Sequence, residues 1–211
     1  MKHSKKLLFV FFFALVAGIS LAQVKFGFKA GANGSYLLGV EKVLNSMEGA
    51  SDISTEVLFG YQAGLSLDLS AGIFFIRPEL MYSYQGFAIK SKLAYSGAEA
   101  EKIHMNYMKL PLHVGYKRVV NMDSDVRFGI GGYAAYYLSG HEKLKAYEFK
   151  KLDYGVSAMF AVDYVNTSTA ICYEFGLVDL IGIDGWSTNK QSNKLPDVRN
   201  TSLRISVAYY F

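Results

Sequence analysis

The chain has 211 residues, 51% of them hydrophobic and 15% aromatic, with 20 Gly, 3 Pro and a formal charge of +4. One domain fits that length, and beyond residue 22 no apolar run approaches the ~18 residues that a helical membrane span needs. Three of the cations that make the charge positive (Lys2, Lys5 and Lys6) sit in the leader, so the remainder is almost neutral and has no basic face for nucleic acid.

The leader has a secretory layout. Its lysines are followed by an apolar run from Leu7 to Ile19, and Ser20-Leu21-Ala22 supplies the small-x-small pattern of a cleavage site. Residues 1–22 are therefore expected to be a cleaved signal peptide, and residues 23–211 the mature domain, starting at Gln23. Cys172 is the only cysteine, so no intramolecular disulfide can brace this exported domain.

From residue 23 the dominant signal is period two. Val24, Phe26, Phe28, Ala30 and Ala32 alternate with Lys25, Gly27, Lys29, Gly31 and Asn33. Phe59, Tyr61, Ala63, Leu65 and Leu67 do the same against Gly60, Gln62, Gly64, Ser66 and Asp68. Six further segments follow, with apolar sets running from Phe74 to Tyr84, Met108 to Tyr116, Phe128 to Leu138, Tyr154 to Tyr164, Ile171 to Leu177 and Leu203 to Phe211. No residue of the apolar sets is charged, so the two faces are expected to meet different solvents. Long connections (Gly34 to Val57, Gly86 to Ile103, Ser139 to Lys151, Val178 to Thr201) alternate with short ones (Ser70 to Gly72, Lys117 to Asp125, Val165 to Ser168). Short periplasmic turns and long outer loops give this asymmetry in outer-membrane barrels.

A soluble barrel that holds a ligand also alternates, with its apolar face inward. Three features favour the membrane arrangement. The polar set is rich in Gly, Ala and Ser, which suits a crowded lumen and not a solvated surface. On the apolar set, Phe74, Tyr116, Tyr164, Tyr209 and Phe211 lie toward the turns, and Tyr84, Tyr136, Tyr154 and Phe175 toward the loops, as two interfacial girdles would. Finally, Phe211 ends the last alternating strand, and such a terminal aromatic resembles the signal read by barrel assembly machinery. The expected fold is all-β, an eight-stranded antiparallel up-and-down transmembrane β-barrel in the bacterial outer membrane.

Several strings resemble the PorT-like outer-membrane β-barrel family of Bacteroidetes-type Gram-negative bacteria. Gly31 with Asn33 is similar to its opening strand, Arg77-Pro78-Glu79-Leu80-Met81-Tyr82 to its Pro-Glu-Leu-x-Tyr strand, and Tyr107-Met108-Lys109-Leu110-Pro111-Leu112 to its Tyr-Leu-x-Ile-Pro-Leu strand. Gly131-Gly132-Tyr133, Asp153-Tyr154-Gly155, Tyr173 with Gly176-Leu177 and Asp179, and Arg199-Asn200 follow in the family's order. The resemblance implies fold and location. It marks the scaffold and carries over no activity.

Pro78 and Pro111 fall inside predicted strands, where they cannot donate to a ladder, and bulges or local breaks in pairing are expected there. The predicted lumen holds Lys25, Lys29, Arg77, Lys109, Arg127 and Arg204 against Asp68, Glu79, Asp153, Asp163 and Glu174. Glu79 with Lys109, Glu174 with Arg204 and Asp68 with Arg77 are the expected ion pairs, since buried charges persist only when partnered. A filling network is favoured over a selectivity filter, because eight strands leave space only for side chains.

Catalytic signals are thin: His113 belongs to the lumen set, His104 lies at a loop edge, and Ser139, His141 and Glu142 adjoin in one loop without the convergence a triad requires. Asp179, Asp184 and Asp197 do not form the dense acidic pattern of a calcium loop. In the same loop Ile181, Ile183 and Trp186 are expected to pack on the rim. No catalytic, cofactor or metal residue is assigned. The expected role is an anchor whose outer loops contact a partner or surface ligand; the alternatives are a narrow porin-like channel and an outer-membrane enzyme acting on lipid or peptide.

Overall fold

The computed structural model describes residues 23–39, 53–91, 101–140, 150–180 and 198–211; residues 1–22 and the tips of the four long connections lie outside them. Eight strands follow one another: β1 Gln23–Leu38, β2 Ile53–Ala71, β3 Phe74–Ser91, β4 Glu101–Asn121, β5 Ser124–Gly140, β6 Leu152–Tyr164, β7 Thr167–Gly176 and β8 Arg199–Tyr210. Each pairs antiparallel with its neighbours, and β8 returns to β1 to close the ring.

The register fixes the shape of the ring. From Val24 on β1, directly paired residues run through Leu69, Ile76, Val114, Ile130, Ala158, Tyr173 and Leu203, and arrive back on β1 at Gly34, ten residues further on. A shear of ten over eight strands tilts them by about 40° and leaves an interior that side chains can fill. Every residue on that circuit has the same facing, so the predicted alternation holds round the whole ring. Phe26, Phe59, Leu110, Ile130, Tyr154, Ile205 and most of the apolar sets are exposed, while Lys29, Arg77, Glu79, Lys109, Glu174 and Arg204 are buried. The core of this protein is its charged interior, and its apolar surface looks outward.

The turns on the terminal side are tighter than the sequence pattern suggests. Lys117 to Asp125, expected as a connection, is almost all strand: only Met122 and Asp123 separate β4 from β5. The Asn121 side chain closes this turn by accepting from the Asp123 N–H (3.1 Å) and the Ser124 hydroxyl (2.6 Å). The β2–β3 turn uses Gly72 at φ 59°, where a residue without Cβ costs least. Val165 occupies the equivalent left-handed region at φ 53°, unfavourable for a β-branched residue, and its N–H donates to the Asp123 carbonyl of the adjacent turn (2.8 Å).

The prolines break pairing without shifting it. Between Pro78–Leu112 and Met81–Lys109 the β3–β4 ladder loses its partners but resumes in the same register. The same gap opens between β2 and β3 beside Pro78. Local breaks are thus present at the prolines and bulges are not; the register shifts fall elsewhere, between Val57 and Tyr61, between Asn106 and Tyr107 and between Val119 and Asn121.

On the loop side β2, β3 and β4 run on past the tyrosine girdle, where the same residues keep facing inward on β4 but the polarity of the two faces is exchanged. Ile103, Met105 and Tyr107 point inward and are buried, while Lys102, His104 and Asn106 take the outer face. Where a strand leaves lipid for water, an apolar inner face and a polar outer one become the favourable arrangement.

Candidate functional site

The lumen is built in three tiers. Nearest the turns, Arg77 and Arg127 share two carboxylates. Arg77 meets Asp68 at 2.8 Å and Asp163 at 3.3 Å, and Arg127 meets each of them at 2.6 Å. Both guanidiniums also lie over the Phe75 ring, at 5.7 and 5.3 Å from its centre. Such planar cations combine bidentate pairing with stacking in a way that lysine cannot. Ser70 donates to Asp68 (2.6 Å), and Ser168 accepts from Arg77 (3.1 Å).

The middle tier is an alternating chain of charges that crosses the interior. Lys29 on β1 pairs with Glu79 on β3 at 2.5 Å, and Glu79 faces Arg204 on β8 at 3.8 Å. Arg204 pairs with Glu174 on β7 at 3.2 Å, and Glu174 with Lys109 on β4 at 2.6 Å. The expected Asp68–Arg77 and Glu174–Arg204 pairs are therefore present. The expected Glu79–Lys109 pair is not: Glu79 takes Lys29 instead. Gly64 stands between Lys29 and Met81 in the sheet and has no side chain, so the lysine crosses β2 to reach β3. Beside this chain His113, fully buried, lies 3.0 Å from the Ser157 hydroxyl and 3.5 Å from the Cys172 sulfur, and Arg204 donates to that sulfur at 3.3 Å.

The third tier, toward the loops, is apolar. Leu37, Phe87, Ile103, Met105, Tyr107, Tyr133, Leu180 and Val198 pack into one buried cluster. Leu180 and Val198 belong to the segments flanking β7 and β8, joined by a Leu180 N–H to Val198 carbonyl bond (2.9 Å). At the base of the cluster Asp153 accepts from the Tyr133 hydroxyl and the Asn200 amide, both at 3.2 Å. Sequence reading missed this plug, since it took Leu37, Phe87, Ile103, Leu180 and Val198 for loop; the signal available was the apolar inner set of Ile103, Met105 and Tyr107.

The remaining candidates scatter. His104 stacks on Tyr84 at 4.8 Å on the outer girdle, far from His113 in the lumen. Ser139 accepts from Asn106 (3.0 Å), which in turn accepts from the Tyr82 hydroxyl (2.7 Å). His141, Glu142, Ile181, Ile183, Asp184, Trp186 and Asp197 lie outside the described residues, so the loop cluster cannot be placed. Asp179 accepts from the Val198 N–H at 2.9 Å, a structural tie. His113, Cys172 and Ser157 are in contact but enclosed by the barrel wall, with no opening for a substrate among the described residues.

An eight-stranded closed barrel with an apolar exterior, two aromatic girdles and a charged, filled interior is the architecture of an outer-membrane protein. The family model for the outer membrane protein beta-barrel domain matches residues 20–182, and the chain belongs to that family. Among solved structures it is similar to OprG of Pseudomonas aeruginosa, with 15% identity over 89% of this chain and 94% of that one at a TM-score of 0.50. It is also similar to the Neisserial surface protein A (13% identity, 90% and 99% coverage, TM-score 0.47) and to Ail, the attachment invasion locus protein of Yersinia pestis (10% identity, 90% and 99%, TM-score 0.38). No curated protein sequence matches the chain. Fold and family together place it in the bacterial outer membrane.

Proposed function

We propose that this protein is a non-conducting, non-enzymatic outer-membrane anchor that works through what it presents outside the cell. The observation that carries this reading is the lumen: two tiers of paired charge and an apolar plug fill it from the turns to the outer rim. Ions need an aqueous path, and eight strands filled in this way leave none. In planar bilayers the mature chain is expected to show no unitary steps; salt-dependent stepwise conductance by the wild type would reverse the assignment in favour of the porin-like alternative.

The extension of β2, β3 and β4 beyond the girdle is the presenting element. Lys90 and Glu56 pair across its exposed outer face at 2.5 Å, which marks a position that tolerates labelling. A proximity label on Lys90→Cys should capture a recurrent surface partner that the same label on Met122→Cys, at the opposite end, does not. Equal capture from both positions argues against outward presentation.

The strings at Arg77–Tyr82 and Tyr107–Leu112 support a PorT-like placement within the family, as scaffold marks only. Phe211 supports recognition by assembly machinery: its ring packs edge-on to Phe28 and Tyr209, with centroids at 5.9 and 5.3 Å, so it is exposed yet fixed in place. Phe211→Ala should lower the amount assembled in cells while leaving refolding into vesicles unchanged.

A further inference from the structure

The outer face of the barrel is not uniform. Over β3 to β7 it hollows into an apolar groove of about 900 Å³. Its lower border is a row of directly paired bulky residues, Phe74, Tyr116, Phe128 and Phe160. Above that row Ile76, Val114 and Ile130 line the groove, the outward residue shrinks to Ala158 on β6, and Tyr173 closes the far side. The wall is thin here, because Gly115 and Gly129 pair with each other and the groove floor reaches Phe75 and Met159 beneath them.

One charge lies next to this groove on the outer face. Arg118 follows Tyr116 on the same face of β4, is exposed, and pairs across to Val126. Its outward neighbours, Tyr116, Val120 and Val126, offer no acid, and the nearby Asp125 turns inward to Lys117 and Arg127. No carboxylate faces Arg118 among the described residues. It stands on the terminal side of the aromatic row, at the level where the periplasmic leaflet carries its headgroups.

We propose that this groove with Arg118 is a binding site for an anionic phospholipid of the periplasmic leaflet, its phosphate on Arg118 and one acyl chain along the hollow above Phe128 and Phe160. Arg118 supplies the charge complement and planar donors suited to phosphate. Ala158 and the glycine pair supply the depression for the chain; a second hollow of the outer face lies over β1, β2 and β8, between Phe28, Ala30, Ala63 and Val207, and it is the position of Arg118 beside the first that distinguishes the two.

The test reconstitutes the mature chain in phosphatidylcholine vesicles carrying traces of a phosphatidylglycerol with a photoactivatable acyl chain. Peptide mapping should place the label on β5 and β6 around Ile130 and Ala158. Unlabelled phosphatidylglycerol should compete at least tenfold better than phosphatidylcholine. Arg118→Gln should remove that preference, and Ala158→Leu should cut labelling severalfold while the folded barrel still migrates as a compact species. Labelling spread equally over β8, or an unchanged lipid preference in Arg118→Gln, refutes the site. Crosslinking of Ala158→Cys to a second copy in place of lipid would also overturn it, assigning the groove to self-association.

Discussion

Glu79 on β3 meets two cations that reach it from the adjacent strands β1 and β8, and this makes it the most sensitive single position in the interior. Its carboxylate pairs with Lys29 and faces Arg204, and all three are almost wholly buried. Removing one partner of such a group strands charge where no water compensates, which costs about 3–5 kcal/mol. Glu79→Gln should therefore lower the unfolding free energy in vesicles by that order, measured by urea titration of the reconstituted protein. In a Lys29→Met background the same change should cost less, because the charge it would strand is gone; equal costs in both backgrounds would show that the pair is not coupled. The partner of Glu79 was not legible from strand order alone. Lys109 lies on the neighbouring strand, but the choice of Lys29 depends on the empty position at Gly64 and on a lumen narrow enough to be crossed, and these emerge only from the closed ring.

At the scale of the strand, orientation is the physical fact that the alternation encodes. Leu112 is exposed midway along the outer face of β4, and Tyr164 is exposed at the end of β6. If lipid covers this face, Leu112→Arg should cost about 2–4 kcal/mol, and Tyr164→Arg about 0–1 kcal/mol, because the penalty falls from the bilayer midplane to its edge. Denaturant titration of each variant in vesicles measures both, and equal, small costs would contradict a lipid-facing surface. The seam of the barrel depends on a different constraint. A Cβ on Gly31 of β1 would run into the Ile205 carbonyl and Ser206 on β8, so Gly31→Val should impair closure and reduce the heat-modifiable folded species on gels, whereas Ala30→Val, on the outer face beside it, should not. Within the lipid band the strands were legible because one rule, apolar outward, governs every second residue from Val24 to Phe211. Their outer ends were not, since at Ile103 to Tyr107 that rule reverses, and the residues up to Ile103 pass for a loop. Past Lys117 the pattern fails for another reason: Val119 and Val120 are adjacent and both exposed, so alternation disappears although pairing with β5 continues to Asn121.

For the molecule as a whole, the three tiers act in series, and that sets what any attempt to open it should find. Sequence alone supplied the opposed charges of the lower two tiers, because Lys29, Arg77, Asp68, Glu174 and Arg204 all fall on one face of their strands. The upper tier was out of reach, since Leu180 and Val198 come from segments outside the strands and are held in the lumen by bonds to each other, to Lys150 and to Asp179. Barriers in series predict non-additive conductance: a path interrupted three times stays shut when one interruption is removed. Phe87→Ser with Leu180→Ser, which weakens the apolar plug, should leave planar bilayers silent, because Lys109, Glu174 and Arg204 still bridge the middle. Replacing Lys109 and Glu174 together by Ala, which removes one cation and one anion at once, should also stay silent behind the intact plug and the Arg77–Asp68–Arg127 cluster. Steps should appear only when all three tiers are opened in one protein, and their size should then follow salt concentration. Conductance from either of the first two variants, with the folded species retained on gels, would mean that a continuous water path already threads the remaining tiers, and a plugged anchor would no longer describe this barrel.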